Sequence, residues 1–110
     1  METTIFEEIK KINEHGQEYW FARELAKVLG YSDYSNFENV IKKAMIACEK
    51  SGQNIENHFG DATEMIDIGK KAMRSFPSFK LSRYACYLVV QSADVKKVRI
   101  AKAHTYFAIQ

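Results

Sequence analysis

The sequence is poor in the residues and patterns that most readily identify a protein class. Its 110 residues include one proline, two cysteines and five glycines, and they contain no run of about 18 apolar residues that could cross a membrane. The first 15 residues are acidic and amphipathic and lack the apolar block of a signal peptide. Cys48 and Cys86 lie in apolar stretches of predicted helices, so we expect small buried side chains in a reduced, cytoplasmic protein without membrane contact.

The motifs of catalysis, metal binding and nucleotide binding are also missing. The histidines, His15, His58 and His104, are far apart and share no local spacing with acids or cysteines. There is no Cys-x-x-Cys pair for structural zinc, and Gly60 and Gly69 do not belong to a phosphate-binding loop. Because an enzyme needs a convergent set of reactive groups, we predict a protein without enzymatic activity and without a metal or cofactor.

What the chain does have is apolar material for a core and an uneven distribution of charge. Apolar residues make up 46% and aromatic residues 13% of the sequence, which suits one folded domain. The net charge is −3 over residues 1–34, zero over 35–60 and +5 over 61–110. A basic half beside an acidic half indicates a nucleic-acid or other polar partner on one face. An ordinary solvated surface is the alternative.

Apolar residues at helical spacing predict about five helices. These cover about residues 3–14, 22–29, 36–50, 83–92 and from about 95 onward. The second and third have the outline of a helix-turn-helix, with a step from Ala26 to Gly30 at the end of the first of the two. Ser35 and Glu38 form a predicted capping box for the third helix. The predicted turn of five residues, 30–34, is longer than the usual three or four.

Two extended runs between the third and fourth helices predict a β-hairpin. Residues 64–69 and 76–81 flank a basic turn that carries Lys70, Lys71 and Arg74. Pro77 restricts the second run to an edge strand, because proline cannot donate to a sheet. Residues 18–21 are either a strand or an extended entry to the second helix. The predicted fold is therefore a compact, mostly helical α+β domain of about five helices, with a small two-stranded β-hairpin inserted before the fourth helix.

The terminal helix, predicted from about residue 95 to residue 110, is apolar on two sides. One stripe contains Ile100, Ala103 and Phe107, and the other contains Val98, Ala101, Thr105, Ala108 and Ile109. A helix with two apolar stripes packs on its own domain and on a second surface, which favours a homodimer or a partner protein. A helix wrapped by a small core is the alternative. We expect residues 1–110 to form a single domain at the N-terminus of a longer chain.

Four segments resemble one known family. They are "WFARELAKVLGY", "FENVIKKAMIACEKSG", "LSRYACYLVVQ" and "TYFAIQ". Through them the chain, from about residue 18 to residue 110, resembles the BRO-N type of domain of viral and phage DNA-binding regulators and antirepressors. Within that group it is most similar to the bacterial DNA-damage-inducible protein D family. The resemblance implies an α+β domain, without catalytic residues, that binds DNA or a DNA-associated protein during the response to DNA damage.

Two groups of side chains are candidates for DNA contact. The predicted third helix carries Asn39, Lys42 and Lys43 on its polar side, from which Asn39 could pair with adenine in a major groove. The stretch 70–83 contains no acid, and its candidates for phosphate contact are Lys70, Lys71, Arg74, Lys80 and Arg83. A solvated helix face and a strand edge kept soluble by its charges are the alternatives.

A protein-interaction domain is the rival function. Binding to DNA should weaken steeply with salt, because each neutralised phosphate releases counterions. Association through the terminal helix should depend weakly on salt, and we expect it to fail when Phe107 becomes a charged residue.

Overall fold

The computed structural model describes residues 4–93 and 98–109, and these form helices around one antiparallel sheet. The elements are, in chain order, α1 Thr4–Ile9, β1 Lys11–Ile12, β2 Glu18–Phe21, α2 Ala22–Val28, α3 Tyr34–Lys50, α4 Ile55–His58, β3 Phe59–Gly69, β4 Ala72–Leu81, α5 Arg83–Ser92 and α6 Val98–Ala108. The sheet has four strands in the order β1-β2-β4-β3. The domain is α+β, but the prediction of a mostly helical fold with only a two-stranded hairpin is wrong.

The first correction concerns the N-terminal helix, which was predicted to run to about residue 14. Helix α1 ends at Ile9, and Lys11 and Ile12 pair with β2 instead. The Asn13 side-chain oxygen accepts hydrogen bonds from the backbone N–H groups of His15, at 2.8 Å, and Gln17, at 2.9 Å. These bonds close a tight turn after β1 and favour a hairpin over further helix.

The second correction concerns the position of β4, which the sequence placed at an edge. Strand β4 lies between β2 and β3, but β2 reaches only Lys80 and Leu81. Pro77 lies beyond the end of β2, and its carbonyl oxygen accepts a hydrogen bond from Arg23 Nε at 2.7 Å. The proline therefore occupies a part of an interior strand that has no strand neighbour on that side, which is why its missing N–H is tolerated.

The core is formed by buried side chains of the sheet and of the helices α1, α2, α3, α5 and α6. Trp20 is fully buried and donates its indole N–H to the Phe6 carbonyl oxygen at 2.8 Å. Its ring meets the Phe107 ring edge to face, with centroids 5.0 Å apart, an arrangement that aromatic pairs prefer. Cys48 and Cys86 are free and buried, so the prediction that both are small core side chains is confirmed.

Helix α5 confirms its predicted boundaries and cap. It runs from Arg83 to Ser92, and the Ser82 hydroxyl oxygen accepts a hydrogen bond from the Ala85 N–H at 3.0 Å. Helix α3 differs at its start, because Asp33 is the N-cap and accepts from the Ser35 N–H at 2.9 Å. The predicted capping box at Ser35 is therefore wrong. The inward side of α3 is as predicted, with Phe37, Ile41, Ala44 and Cys48 buried.

Helix α6 buries one of the two apolar stripes that were predicted for the terminal segment and exposes residues of the other. Its residues Ile100, Ala103 and Phe107 are buried in the core, whereas Ile109 is 65% exposed. Ala101, Thr105 and Ala108 of the second stripe are exposed as well. The predicted start of this helix, near residue 95, lies outside the described residues. None of the described helices is long and apolar enough to cross a membrane.

Candidate nucleic-acid interface

The distal half of the β3–β4 hairpin projects from the body of the domain. We call residues 65–75 the arm. Residues 67–75 are all exposed, although the strands on both sides of the turn are paired throughout. The domain measures 44 Å along its longest axis against 29 and 27 Å along the others. The outer part of the arm, residues 67–75, is therefore accessible to a partner.

The tip of the arm places two lysines in an unusual backbone conformation. Lys70 and Lys71 have φ values of +52° and +61°, as the central residues of the turn between Gly69 and Ala72. A two-residue hairpin turn with positive φ at both positions is usually made from asparagine and glycine. For other L-residues the left-handed conformation costs roughly 1–2 kcal/mol each. Such strain is typical of functional positions.

The turn is reinforced by its neighbours on the β3 side. The register shifts by one residue between Asp67 and Gly69, so Ile68 forms a bulge. An Asp67 carboxylate oxygen accepts the Gly69 N–H at 2.8 Å. Asp67 is the only acid of the arm, and this bond commits part of its charge to the turn. Bulges commonly re-aim side chains near functional sites.

Arg23 of α2 joins the base of the arm to the start of α3. Its guanidinium carbon is 3.9 Å from the centre of the Tyr34 ring and 5.3 Å from that of Phe76. Arg74 also contacts the Phe76 ring, with its guanidinium carbon 5.8 Å from the ring centre. Cation–π contacts of this kind contribute about 0.5–2 kcal/mol each. Together with the bond from Arg23 to Pro77, they set the angle at which the arm leaves the body.

Glu64 is the acid closest to this joint in the sheet, and it is engaged internally. Its carboxylate accepts hydrogen bonds from the Arg23 N–H at 2.9 Å and from the Ser78 hydroxyl at 2.5 Å. Ser78 is buried beneath the joint. Burial also raises the pKa of the Tyr34 hydroxyl, which stays neutral at physiological pH. The charge that faces solvent along the arm is therefore mainly positive.

Lys80 and Arg83, the two remaining basic candidates of this stretch, lie away from the arm. Lys80 is exposed at the base of β4, with its ammonium nitrogen 5.1 Å from the centre of the Tyr19 ring. Arg83 donates from Nε and Nη2 to the two carboxylate oxygens of Glu18, at 2.5 and 3.1 Å. This bidentate pair lowers the pKa of Glu18 and raises that of Arg83. Arg83 therefore links the start of α5 to strand β2.

The candidate residues of helix α3 form a separate exposed face. Asn39, Lys42 and Lys43 are exposed on the side of the helix away from Phe37 and its buried neighbours. Helix α3 begins at Tyr34, which contacts the Arg23 joint. The structure thus brings Lys70, Lys71 and Arg74 together on the arm, and Arg23 connects the base of the arm to the start of α3.

Sequence reasoning missed Arg23 and the shape of the lysine turn. Arg23 contacts Pro77, 54 residues away in the chain, and no local pattern signals such a contact. The turn carried a better signal, because a basic pair between a glycine and a return strand was visible in the sequence. Among the described residues, no group of three histidine, cysteine or acidic side chains is placed to hold a metal ion.

An open groove on the opposite part of the domain is lined by Glu18, His58, Arg83 and Tyr84, among others, with a volume of about 640 Å³. Two pairs of its polar groups bind each other. Arg83 is paired with Glu18, and the His58 ring nitrogen lies 2.7 Å from the Ser82 hydroxyl oxygen. The Arg83, Glu18, His58 and Ser82 side chains that line the groove are therefore engaged in hydrogen bonds with one another.

Comparison of the sequence with known proteins identifies the family of the chain. The model of the BRO family N-terminal domain matches residues 8–108. The curated protein "DNA damage-inducible protein D" of Escherichia coli strain K12 is 53% identical over 105 residues. That match covers 96% of this chain but only 38% of the relative's length. No solved structure matches the chain. The resemblance seen in the sequence is thereby confirmed, and the chain belongs to the BRO family as an N-terminal domain of that family.

Proposed function

We propose that this domain is a non-enzymatic DNA-binding module of the DNA-damage response, with the arm as its main contact to phosphates. The family membership and the name of the 53% identical relative support the setting. The chain spans 38% of that relative's length. The proposal therefore concerns this domain and not the activities of a longer protein. A position at the N-terminus of a longer chain stays a prediction.

The observation that carries the proposal is the exposed basic tip of a projecting ribbon. Two-stranded ribbons enter either groove of DNA in several known binding proteins. Lys70, Lys71 and Arg74 lie within five residues on such a ribbon, and all three are exposed. Phosphate contacts of this kind position a protein on DNA, whereas contacts to base edges select sequence.

Helix α3 is assigned the second role, that of adding sequence preference. Asn39 has the side chain suited to a bidentate bond with adenine, and Lys42 and Lys43 extend the positive surface around it. Lys80 can contact phosphate at the base of the arm. Arg83 is left out of the proposed interface, because Glu18 already holds its guanidinium group.

Fluorescence anisotropy with labelled duplex and single-stranded DNA at several salt concentrations tests the proposal. The main variant carries Lys70→Glu, Lys71→Glu and Arg74→Glu. The matched comparison carries Lys42→Glu and Lys43→Glu with Lys50→Glu, which makes the same change in net charge on exposed positions of α3.

We expect the arm variant to abolish binding without loss of thermal stability. The helix variant should bind more weakly and discriminate less between sequences. Unchanged affinity of the arm variant would sink the proposal. Equal losses in both variants would show that net charge alone controls binding and that the arm has no special part.

A protein-interaction domain is the second candidate, and the exposed stripe of α6 favours it. Ile109 is 65% exposed at the end of that stripe, as a surface for a second copy or another protein would require. Phe107 is buried in the core, so a charge at that position would unfold the domain and is unsuitable as a test. Ile109→Glu with Ala101→Glu is the appropriate variant. Salt-insensitive association that this variant abolishes would favour the second candidate.

A further inference from the structure

The arm exposes large apolar side chains beside its cations. Met65, Ile68 and Met73 are 61%, 54% and 55% exposed, and they are three of the seven exposed large hydrophobic residues found in the described part of the chain. The pairings of Met65 with Ser75 and of Asp67 with Met73 place the two methionines on the same face of the ribbon. They are diagonal neighbours there, about 7–8 Å apart.

This apolar face points away from the body. On the opposite face Ile66 and Phe76 are half-buried, and the Phe76 ring lies against the Arg23 guanidinium group. Met65 and Met73 are exposed. Strands that could pair with other chains usually carry charge or proline instead of large apolar side chains. A clustered exposed patch of this kind marks an interaction site.

The charges around the patch indicate the chemistry of its occupant. Lys70 and Lys71 form the turn at the end of the methionine face, and Arg74 pairs with Ile66 on the opposite face. The arm's single acid, Asp67, shares the methionine face, but its carboxylate accepts the Gly69 N–H. An anionic partner that also offers apolar surface fits both properties. Nucleic acid has this combination, since phosphates flank stacked bases.

The residue types of the arm favour duplex DNA over single-stranded DNA as its partner. Single strands are bound mainly by stacking of bases on exposed aromatic rings, and the arm, residues 65–75, contains no aromatic residue. The nearby Phe76 ring is half-buried and has Arg23 and Arg74 against it. Methionine and isoleucine side chains are instead the wedges that proteins insert between base steps of a duplex from the minor groove.

We infer that the face that carries Met65 and Met73 is an apolar wedge that enters the minor groove of duplex DNA and bends it, while the lysines of the tip hold the flanking phosphates. This inference rests on the proposed function and adds the form of DNA and its deformation. Insertion unstacks a base step, and the contacts of the bent duplex with the arm offset that cost.

The test measures bending and affinity together. A duplex of about 30 base pairs carries a donor dye at one end and an acceptor at the other, and energy transfer is followed as protein is added at several salt concentrations. The main variant is Met65→Thr with Met73→Thr, which keeps strand-forming residues. Met65→Leu with Met73→Leu keeps the apolar surface, and Ile12→Thr with Ile109→Thr removes exposed apolar side chains outside the arm.

The expected results separate a wedge from a merely structural role. The wild-type protein should bend the duplex, and the threonine variant should lose the bend and roughly tenfold in affinity. Its salt dependence should stay unchanged, because no charge was removed. The leucine and control variants should behave as the wild type does.

Five results would overturn the inference. Wild-type binding without a bend, or a bend that survives in the threonine variant, shows that the methionine face does not enter the duplex. Tighter binding to single strands than to duplex contradicts the choice of DNA form. Self-association of the free protein that the threonine variant abolishes, followed by sedimentation, assigns the face to a second copy. If the wild-type protein binds no DNA at all, the proposed function fails as well, and this distinguishes that result from the others.

Discussion

Replacing the tip lysines by Lys70→Asn and Lys71→Gly should make the domain more stable and less able to bind DNA. Both residues have left-handed backbones, at φ +52° and +61°, which costs an ordinary residue roughly 1–2 kcal/mol. Asparagine and glycine adopt this conformation more easily, although glycine also gives the unfolded chain more freedom, worth about 0.5–1 kcal/mol. The net gain is about 1 kcal/mol, or roughly 4 °C in Tm for a chain of this length.

The same double change removes two cations from the proposed phosphate contacts. Each contact contributes about 0.9 to the slope of log affinity against log salt concentration. The slope should therefore fall by about 1.8, and affinity for duplex DNA at 0.1 M salt should fall by roughly 60-fold. Thermal unfolding and a salt series of anisotropy titrations measure the two effects on one protein sample.

Lys70→Arg with Lys71→Arg is the control, because it keeps both the charge and the backbone strain. It should leave Tm and affinity close to those of the wild type. Lower stability in the asparagine–glycine variant would refute the reasoning about strain. Retention of full affinity and slope would refute the reasoning about phosphate contact, because the strained lysines would then have no binding role.

Three further predictions concern the joint, the internal ion pair and the terminal helix. Arg23→Gln removes the contacts to Phe76 and should destabilise the domain by about 1–2 kcal/mol, with faster amide exchange in residues 65–75 than in α5; equal exchange in both would contradict a positioning role. The Glu18 carboxyl has a pKa held below its usual 4.5 by the hydrogen bonds from Arg83, so its ionised form contributes stability above about pH 4.5 that is lost as the pH falls through the depressed value. Glu18→Gln should therefore flatten the acid side of a plot of Tm against pH, and an unchanged plot would show that the pair is neutral to stability. Phe107→Ala should cost about 3–5 kcal/mol because it leaves a cavity in the core, whereas Ile109→Ala should change the unfolding free energy little; similar urea midpoints for both variants would contradict the burial of one and the exposure of the other.

Local sequence signals predicted the helices that depend on local interactions. Helix α5 follows Ser82, whose hydroxyl caps it, and its apolar spacing is visible in the sequence. Strand β1 was missed because two residues, Lys11 and Ile12, show no alternation of their own. They are extended because β2 pairs with them and because Asn13 closes the turn between the strands.

The N-cap of α3 was mispredicted because two favoured N-cap residues lie two positions apart in the sequence. Asp33 and Ser35 are both favoured N-cap residues, and the sequence does not say which side chain will meet a free backbone N–H. In the structure the Asp33 carboxylate accepts from the Ser35 hydroxyl and the Ser35 N–H, and these two bonds lower the pKa of Asp33. The helix therefore starts earlier than predicted.

The candidate interface was predictable in its charges and not in its geometry. The run from Lys70 to Arg83 was visibly free of acids, but the structure divides it between an exposed arm and an internal ion pair. Arg83 binds Glu18 across 65 residues of sequence, and such a pairing depends on the position of β2 beside β4. The contacts of Arg23 with Pro77 and Phe76 likewise form only in the folded sheet.

The most direct test of the central claim is an NMR titration of the isotope-labelled domain with a short DNA duplex, with amide signals assigned along the chain. We expect the largest shifts in residues 65–75, smaller shifts on the face of α3 that carries Asn39, and little change in α5. Shifts confined to the exposed stripe of α6, or the absence of any shift at low salt, would contradict the claim that the arm is a DNA-binding element.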